Sequence, residues 1–316
     1  MTALLALASC GGASNGTART AALSDPERPG AFSYTRWQTS FDDPAYGIFD
    51  ATAFVPADDG SSQPWPTVVL LNGFVATAPM MTWLSTHLAS HGYLVLGVTP
   101  PNPLLPDPTE WARGFSGGAE LLVRESLRAD SPLAGQVDDT RLGAIGLSMG
   151  GAGALEIAGT ETLFRAIVAL APGWSDVGSF IFDDTLAATR AIGVPTQIQR
   201  GSRDCLVPAA GPLAYYDAIP ATKQYLEING GNHIGYINED LATLSAPIIF
   251  DLVPVDCPPT TSYAEQHRLG AKYATMWFDK YLYGSDRWDD ALVHAGVAAD
   301  LASGALSQGM SEGVEP

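Results

Sequence analysis

The sequence predicts an α/β fold in which helices flank a doubly wound, mostly parallel sheet. Short apolar runs alternate with amphipathic helical segments along the chain, an order that is typical of parallel strands joined by crossover helices. Several of these runs are apolar at almost every position, as at 67–71, which suits strands buried on both faces. The 316 residues are enough for one large domain with a substantial core.

The first half of the chain predicts an antiparallel edge followed by strand–helix units. Alternating apolar and polar residues at 33–41 and 46–55 indicate antiparallel strands at one edge of the sheet. Gly92 follows an amphipathic helix and suits the left-handed position that ends a helix. The other elements predicted in this half are a strand at 67–71, a helix at 81–90, a strand at 93–98 and a helix at 111–127.

The second half predicts the remaining strands and a long helix that packs on the sheet. Ser262 and Glu265 form a capping box at the start of that helix. Its apolar face consists of Leu269, Tyr273, Met276 and Trp277. The elements predicted before it are a strand at 141–147, a helix at 149–159 and strands at 165–170, 196–200 and 224–228, the last being the final strand. Beyond about residue 283 the chain is acidic and rich in small residues, which indicates a peripheral helix and a frayed tail.

Composition and charge argue against a nucleic-acid partner and against an integral membrane protein. The formal net charge of −18 repels the phosphates of nucleic acid. No apolar run reaches the roughly 18 residues that a membrane-spanning helix needs, so an integral membrane protein is not expected. The hydrophobic content of 46% indicates a globular protein.

The three cysteines lead to different expectations. Cys10 ends the tetrad Leu-Ala-Ser-Cys, which resembles a bacterial lipobox whose cysteine is lipidated. The apolar stretch before it is short and lacks Lys or Arg, unlike an ordinary signal peptide; we expect export, with a disordered N-terminus as the alternative. Cys205 and Cys257 could then pair in an oxidising compartment. Two buried free thiols remain the other interpretation.

The segment Gly146-Leu147-Ser148-Met149-Gly150 predicts a nucleophile elbow. It follows the apolar strand at 141–147 directly and precedes a helix, and the G-x-S-x-G pattern in that position lifts one serine out of a sharp turn. Side chains at Gly146 or Gly150 would collide across so tight a turn. The pentapeptide alone occurs often by chance, but its place between strand and helix favours Ser148 as a nucleophile.

Two later strands end next to the groups that a serine nucleophile needs. Acyl transfer by serine needs a base and an acid that orients it, and in sheets with this elbow they follow in the order Ser, Asp or Glu, His. Asp204 comes directly after the strand at 196–200, and His233 follows the strand at 224–228. Competing histidines lie on predicted helices or in the tail: His87, His91, His267 and His294. Competing acids either follow an earlier strand, as do Asp176, Asp183 and Asp184, or come after His233 and so out of order, as does Asp256.

A tetrahedral intermediate also needs two N–H donors for its oxyanion. In this architecture one donor is the backbone N–H of the residue after the serine, which is Met149 here. The second comes from the loop after an early strand, where Phe74 is the best candidate. Each such donor is worth roughly 3 kcal/mol of transition-state stabilisation.

These segments together resemble the α/β-hydrolase superfamily, and within it the bacterial cutinase-like polyester hydrolases that include PET-degrading enzymes. The resemblance is carried by segments 69–74, 88–93, 146–151 and 223–233. It implies an α/β-hydrolase fold, a catalytic triad of Ser148, Asp204 and His233, and an oxyanion hole of Phe74 and Met149. It also implies Trp174 as an aromatic wall of the acyl subsite, with Phe74 and Met149 lining it, and neither a metal nor an organic cofactor.

Two departures from that family concern the substrate. The family usually has His or Trp before the nucleophile, whereas this chain has Leu147. The segment at about 234–261 is longer than the family's loop and resembles dienelactone-hydrolase-like and chlorophyllase-like esterases. A disulfide between Cys205 and Cys257 would hold this insertion beside the acid loop, where it could narrow the groove.

The resemblance implies an exported serine hydrolase that cleaves carboxylic esters through an acyl-enzyme. We expect a monomer, secreted or in the cell envelope, with a possible lipid anchor at Cys10 and an ester or polyester substrate. The alternatives are a small-molecule carboxylesterase or lipase with a restricted cleft, and a surface binding protein on an inactive scaffold. The expected parts are a lipobox-like segment at 1–10, a flexible tether at 11–30, a catalytic domain at 31–285 and an acidic C-terminal tail at 286–316.

Overall fold

The computed structural model describes residues 24–57, 64–104, 107–174, 182–240 and 256–314. Their strands form one nine-stranded sheet in the order β1-β2-β4-β3-β5-β6-β7-β8-β9. The strands are β1 (Tyr34–Asp43), β2 (Gly47–Pro56), β3 (Trp65–Leu71), β4 (Leu94–Thr99), β5 (Val137–Leu147), β6 (Ala166–Leu170), β7 (Thr196–Gly201), β8 (Lys223–Ile228) and β9 (Leu306–Glu312). The six strands from β4 to β8 in this order are parallel, and the outer strands β1, β2 and β9 pair antiparallel.

Helices cover both faces of this sheet. They are α1 (Thr82–Ser90), α2 (Pro108–Ser126), α3 (Met149–Thr160), α4 (Asp183–Thr189), α5 (Ala210–Ala218), α6 (Tyr263–Tyr281), α7 (Asp289–Val293) and α8 (Ala295–Ser303). Two short 3-10 helices lie at Ala78–Met81 and Ile234–Tyr236. The mostly parallel sheet with helices on both sides confirms the predicted fold class.

The apolar strands explain why the sheet has a core on each face. Val69 and Leu71 of β3 belong to one buried cluster, which α2, α3 and α5 complete. Val68 and Leu70 point the other way into a second cluster, which α1 and α6 complete. Because successive side chains of a strand point to opposite faces, only a continuously apolar run can supply both cores.

Most predicted elements have their predicted place, but the C-terminal part does not. β1 and β2 form the expected antiparallel edge, and the side chain of Ser262 caps α6 by accepting from the Glu265 N–H. The prediction that 224–228 is the final strand is wrong, because β9 pairs antiparallel with β8 along its length. Residues 286–314 of the predicted tail therefore contain two helices and a strand that closes one edge of the sheet.

The predicted tether lies partly outside the described residues. Cys10 and the lipobox-like segment fall there, as do residues 11–23. Residues 24–30, which were expected to be flexible, are bound to the domain instead. The Gly30 N–H donates to Ser90 Oγ at 2.8 Å, and Glu27 forms an ion pair with Lys272 at 2.9 Å.

The predicted Cys205–Cys257 disulfide is present, with the two Cα atoms 5.3 Å apart. It closes a loop of 52 residues, and the chain-entropy model gives such a loop about 4 kcal/mol of stabilisation. Of the expected insertion at 234–261, residues 241–255 lie outside the described part. Within the described part, the helices are too short or too polar to cross a membrane.

Candidate active site

Ser148 lies in the sharp turn between β5 and α3. Its backbone has φ 57° and ψ −115°, a strained conformation for a residue with a side chain. The turn is held by the Ser148 N–H, which donates to the Leu170 carbonyl at 2.8 Å. A Cβ on Gly146 would overlap the Gly150 carbonyl, so the elbow needs glycine at the positions where the sequence has it.

Asp204 follows β7 and is held by the backbone of its own loop. Its Oδ1 accepts the N–H groups of Leu206 and Val207 at 3.0 and 2.8 Å. These donors fix the orientation of the carboxylate. The side chain is fully buried, which keeps water from competing for its second oxygen.

His233 follows β8 and is bonded to Asp204. The Nδ1–H donates to Asp204 Oδ2 at 2.8 Å, so the neutral imidazole presents Nε2 as its acceptor. Burial works to lower the pKa of His233, but the charge of Asp204 and its hydrogen bond outweigh burial, and Asp256 adds to them. The pKa of His233 is therefore raised above its usual value.

Ser148 and His233 line one apolar cavity of about 170 Å³. Among the described residues that line it, no side chain other than His233 is acidic or basic. The lining residues are Gly73, Phe74, Val75, Ala76, Met80, Leu147, Ser148, Met149, Gly173, Trp174, Phe182, Leu206, Val207, His233, Ile234 and Ile237. All three residues predicted to bind substrate, Phe74, Met149 and Trp174, are among them.

The loop after β3 approaches the serine closely. A Cβ on Gly73 would lie 2.7 Å from the Cβ of Ser148, so only glycine lets the loop come this near. The Val75 N–H donates to the Pro103 carbonyl at 2.7 Å and holds the loop beside Phe74. Met149 is the first residue of α3, where an N–H has no acceptor within the helix. Both N–H groups predicted for the oxyanion thus belong to residues at the cavity.

Trp174 forms part of the cavity wall after β6. Its ring meets that of Tyr215 edge to face at 5.3 Å, and the Tyr215 hydroxyl donates to the Gly173 carbonyl at 2.9 Å. Tyr215 is fully buried in α5. The tryptophan is therefore supported by a rigid helix, although it follows a strand as a loop residue.

The competing histidines have partners outside the cavity. His87 Nε2 is 3.1 Å from Thr275 Oγ1, His91 Nε2 donates to the Arg28 carbonyl at 2.9 Å, and His267 stacks on Trp83. His294 is exposed between α7 and α8. Burial lowers the pKa of His87 to about 3 and that of His267 to about 4.

The competing acids are also away from the imidazole Nδ1. Asp183 and Asp184 lie in the first turn of α4, and Asp176 lies outside the described residues. Asp256 is buried, and its Oδ2 accepts the N–H of Ile234, the residue after His233. Across the described ranges, no three His, Cys, Asp or Glu side chains are grouped so that they could hold a metal ion.

Sequence reasoning missed the residues that brace the His233 loop. Gln266 of α6 is fully buried; its amide N–H donates to the Asn232 carbonyl at 2.8 Å and its Oε1 accepts the Asn232 N–H at 3.1 Å. The Asn232 side chain accepts the Gly235 N–H at 2.8 Å. A polar residue at a buried position of an amphipathic helix was the one signal that could have indicated Gln266.

The sheet, the elbow serine and the bonded His–Asp pair at the carboxyl ends of parallel strands define an α/β-hydrolase fold. The family model described as PET hydrolase-like (PETase) matches residues 14–248. The chain belongs to the PET hydrolase-like family, which confirms the resemblance found in the sequence.

Individual relatives are more distant. The chain is 28% identical over 192 residues to cutinase est1 of Thermobifida alba, covering 60% of this chain and 59% of that protein. It is 27% identical over 197 residues to cutinase 2 of Thermobifida cellulosilytica, covering 60% and 67%. It is 29% identical over 250 residues to a bis(hydroxyethyl) terephthalate hydrolase of Streptomyces coelicolor, covering 78% and 66%. The chain thus spans less than two thirds of the length of est1 and of the terephthalate hydrolase.

Proposed function

We propose that this protein is a serine hydrolase that cleaves carboxylic esters through an acyl-enzyme. The observation that carries the proposal is that Ser148, on a strained elbow, lines the same apolar cavity as His233, whose Nδ1 is bonded to a buried Asp204. A nucleophile, a base and an orienting acid in this arrangement suffice for acyl transfer.

In the first half-reaction Ser148 Oγ attacks the ester carbonyl and His233 Nε2 takes its proton. The negative charge that develops on the carbonyl oxygen is stabilised by the N–H groups of Phe74 and Met149. Asp204 stabilises the imidazolium that forms. His233 then gives its proton to the leaving alcohol, and the acyl group remains on Ser148.

In the second half-reaction water replaces the alcohol. His233 takes a proton from the water as it attacks the acyl-enzyme, and it returns that proton to Ser148 as the acid leaves. The same two N–H groups stabilise the second tetrahedral intermediate. Each turnover therefore consumes one ester and one water and regenerates the neutral His233.

The substrate we propose is a polyester or an ester of an uncharged, ring-sized acyl group. A cavity of about 170 Å³ is close in size to engineered apolar cavities of roughly 150 Å³ that bind benzene. Its lining is apolar apart from Ser148 and His233, since Phe74, Met149 and Trp174 supply aromatic and thioether surface. Relatives named as cutinases and as a bis(hydroxyethyl) terephthalate hydrolase support this substrate class.

The second candidate is a hydrolase of small soluble esters. The modest cavity volume and the terephthalate hydrolase among the relatives favour it. Product release from an amorphous polyester film, compared with turnover of a soluble diester of the same acid, decides between the two. A polyester hydrolase releases soluble product from the film, whereas a small-ester hydrolase turns over only the diester.

Substitution of the nucleophile tests the reaction itself. In Ser148→Ala, p-nitrophenyl butyrate turnover should fall by a factor of roughly 10⁶, as for other serine nucleophiles, and a fluorophosphonate probe should no longer label the protein. Ser202→Ala is the matched control, because Ser202 follows the same strand as Asp204 and binds the Gly230 N–H. A wild type that the probe does not label would instead support a binding protein on an inactive scaffold.

We further propose that the protein is exported as a monomer and lipidated on Cys10, with residues 11–23 as a tether. The support is the lipobox-like tetrad and the Ala-, Ser- and Gly-rich segment that follows it. Mass spectrometry of the N-terminal peptide from membrane and medium fractions should find the modified cysteine. An unmodified, retained Cys10 would contradict the lipid anchor.

A further inference from the structure

Resting on the proposed function, we propose that Asp256 is a second carboxylate of the active site, which positions His233 and stabilises its protonated form during catalysis. Asp256 follows His233 in the chain and therefore violates the Ser–Asp–His order of the triad. It does not touch Nδ1, which Asp204 occupies. It is a positioning residue that acts through the histidine.

The Asp256 carboxylate binds three backbone N–H groups from both sides of the site. Its Oδ1 accepts from Cys205, the residue after Asp204, at 3.1 Å and from Cys257 at 2.9 Å. Its Oδ2 accepts from Ile234, the residue after His233, at 3.0 Å. One side chain thus joins the loop of the acid to the loop of the base.

The residue before His233 is held by the same short segment. The Asn232 amide donates to the Cys257 carbonyl at 2.9 Å. His233 is therefore flanked by two residues that both bind the dipeptide Asp256-Cys257. The disulfide ties that dipeptide to Cys205. The disulfide, the Asp256 carboxylate and the Asn232 amide therefore all fix the distance between the acid loop and the base loop.

The charge of Asp256 also acts on His233. Among the described residues, the charged groups that act on the imidazole are the carboxylates of Asp204 and Asp256, together with the guanidinium of Arg200. Arg200 is itself engaged by an ion pair with Glu227. The negative charges of the two buried carboxylates repel each other while the imidazole between their loops is neutral. When the imidazolium forms, its positive charge compensates for part of this repulsion.

The state of Asp256 itself fits this role. Burial raises the pKa of Asp256; the N–H groups of Ile234 and Cys205 and the His233 charge oppose burial, while the charge of Asp204 adds to it. Three backbone donors are nevertheless the environment in which a carboxylate stays ionised at neutral pH. The positive charge that appears on His233 in each transition state is thus met by two anions rather than one.

The test replaces the charge and keeps the shape. In Asp256→Asn, kcat for p-nitrophenyl butyrate should fall about tenfold while KM stays within about twofold. The acid limb of kcat/KM, which reports the free histidine, should move to lower pH by about one unit. A role confined to tying the loops together would lower stability and leave the acid limb in place.

Three variants make the result decisive. Asp279→Asn is the matched control, because Asp279 is a buried carboxylate bonded to Tyr93 and Trp288, away from the cavity; its acid limb should equal that of the wild type. The double variant Cys205→Ala/Cys257→Ala removes the bridge but keeps the charge, so it should melt earlier with an unmoved acid limb. Asp256→Glu keeps a carboxylate near His233, so it should also melt earlier with an acid limb that stays in place. It serves as the second variant at this position if Asp256→Asn does not fold.

The inference is overturned by an acid limb that stays in place in Asp256→Asn, or that moves as far in Asp256→Glu or in the bridge variant. These outcomes leave the proposed function intact. Normal turnover in Ser148→Ala would instead refute the proposed function without bearing on the contacts of Asp256.

Discussion

Two histidines that adjoin the same short 3-10 helix have pKa values that move in opposite directions. His233 begins the 3-10 helix Ile234–Tyr236, and His267 Nε2 donates to the carbonyl of Ile237 just after it, at 3.0 Å. The pKa of His233 is raised, whereas burial lowers the pKa of His267 to about 4.

The partners of each ring account for the difference. His267 lies flat on Trp83, with ring centres 4.0 Å apart. The backbone groups of Ile237 and Gly235 work to raise its pKa, but burial outweighs them. His233 instead has the carboxylate of Asp204 on Nδ1 and that of Asp256 nearby. Burial opposes charge at both sites, and the presence of a carboxylate decides the direction of the shift.

Removing the Asp204 carboxylate should abolish the difference between the pKa shifts of His233 and His267, and its effect on activity is the largest that we expect. In Asp204→Asn the imidazole loses its orienting partner, and kcat should fall about 10³- to 10⁴-fold, as it does when other triads lose this acid. The pKa of His233 should then move below its usual value, as at His267. Pre-steady-state and steady-state turnover of p-nitrophenyl butyrate measure the first effect, and NMR titration of the ring the second.

The control for that prediction is Asp183→Asn. Asp183 follows an earlier strand and was a sequence competitor for the acid, but it is exposed in the first turn of α4. Its kcat should stay within about twofold of the wild type. Equal losses in the two variants would contradict the role assigned to Asp204.

Replacing the other histidine should affect stability without affecting the reaction. In His267→Phe the stack on Trp83 is kept, but the Ile237 carbonyl loses its donor, which costs about 1–3 kcal/mol of unfolding free energy. The acid limb of kcat/KM should not move. Urea unfolding together with pH–rate profiles tests both halves of the prediction.

His294→Phe serves as the matched comparison, because His294 is exposed. Its unfolding free energy should change by no more than about 0.5 kcal/mol. A shifted acid limb in His267→Phe would mean that His267, and not only His233, titrates in catalysis.

The pH dependence of stability sharpens the same contrast, with the smallest effect. The folded pKa of His87 is about 3 and that of His267 about 4, against an unfolded value of 6.5. Between these limits the unfolded chain binds more protons, so these two residues make stability fall as pH falls from 6.5 toward 4. His233 acts in the opposite sense, because its raised pKa gives stability that is present below 6.5 and lost as pH rises through the folded value.

His87→Gln should therefore lose less stability than the wild type between pH 7 and pH 5, by about 2 kcal/mol. Urea midpoints at the two pH values measure the difference. A loss as steep in the variant as in the wild type would show that His87 is protonated in the folded state at pH 5.

The strands that sequence analysis found and the one it missed differ in what holds them. The runs that became β3, β4 and β6 are apolar at most positions because they are buried on both faces, so their own composition predicts them. β9 has the sequence Leu-Ser-Gln-Gly-Met-Ser-Glu, which carries no strand periodicity. It is a strand because β8 offers it an unpaired edge, and that edge exists only once the sheet has formed.

The candidate site divides in the same way. Local backbone geometry predicts the elbow at Ser148. The alternation of strands and loops predicts the order Ser148, Asp204, His233. Both patterns can be recognised from neighbouring residues in the sequence. Asp256 was set aside because its position in the chain breaks that order, and its contacts with Cys205 and Ile234 cross 51 and 22 residues.

The sequence by itself therefore determined the fold class and predicted the elbow serine and the His–Asp pair that follows it, because short-range patterns and chain order encode them. Only the tertiary structure decided the bracing of the His233 loop, the disulfide, the three backbone contacts of the Asp256 carboxylate and the opposite pKa shifts of His233 and His267. The physical reason is that burial and charge act through space. Their effect on a side chain depends on which distant residues the fold brings beside it.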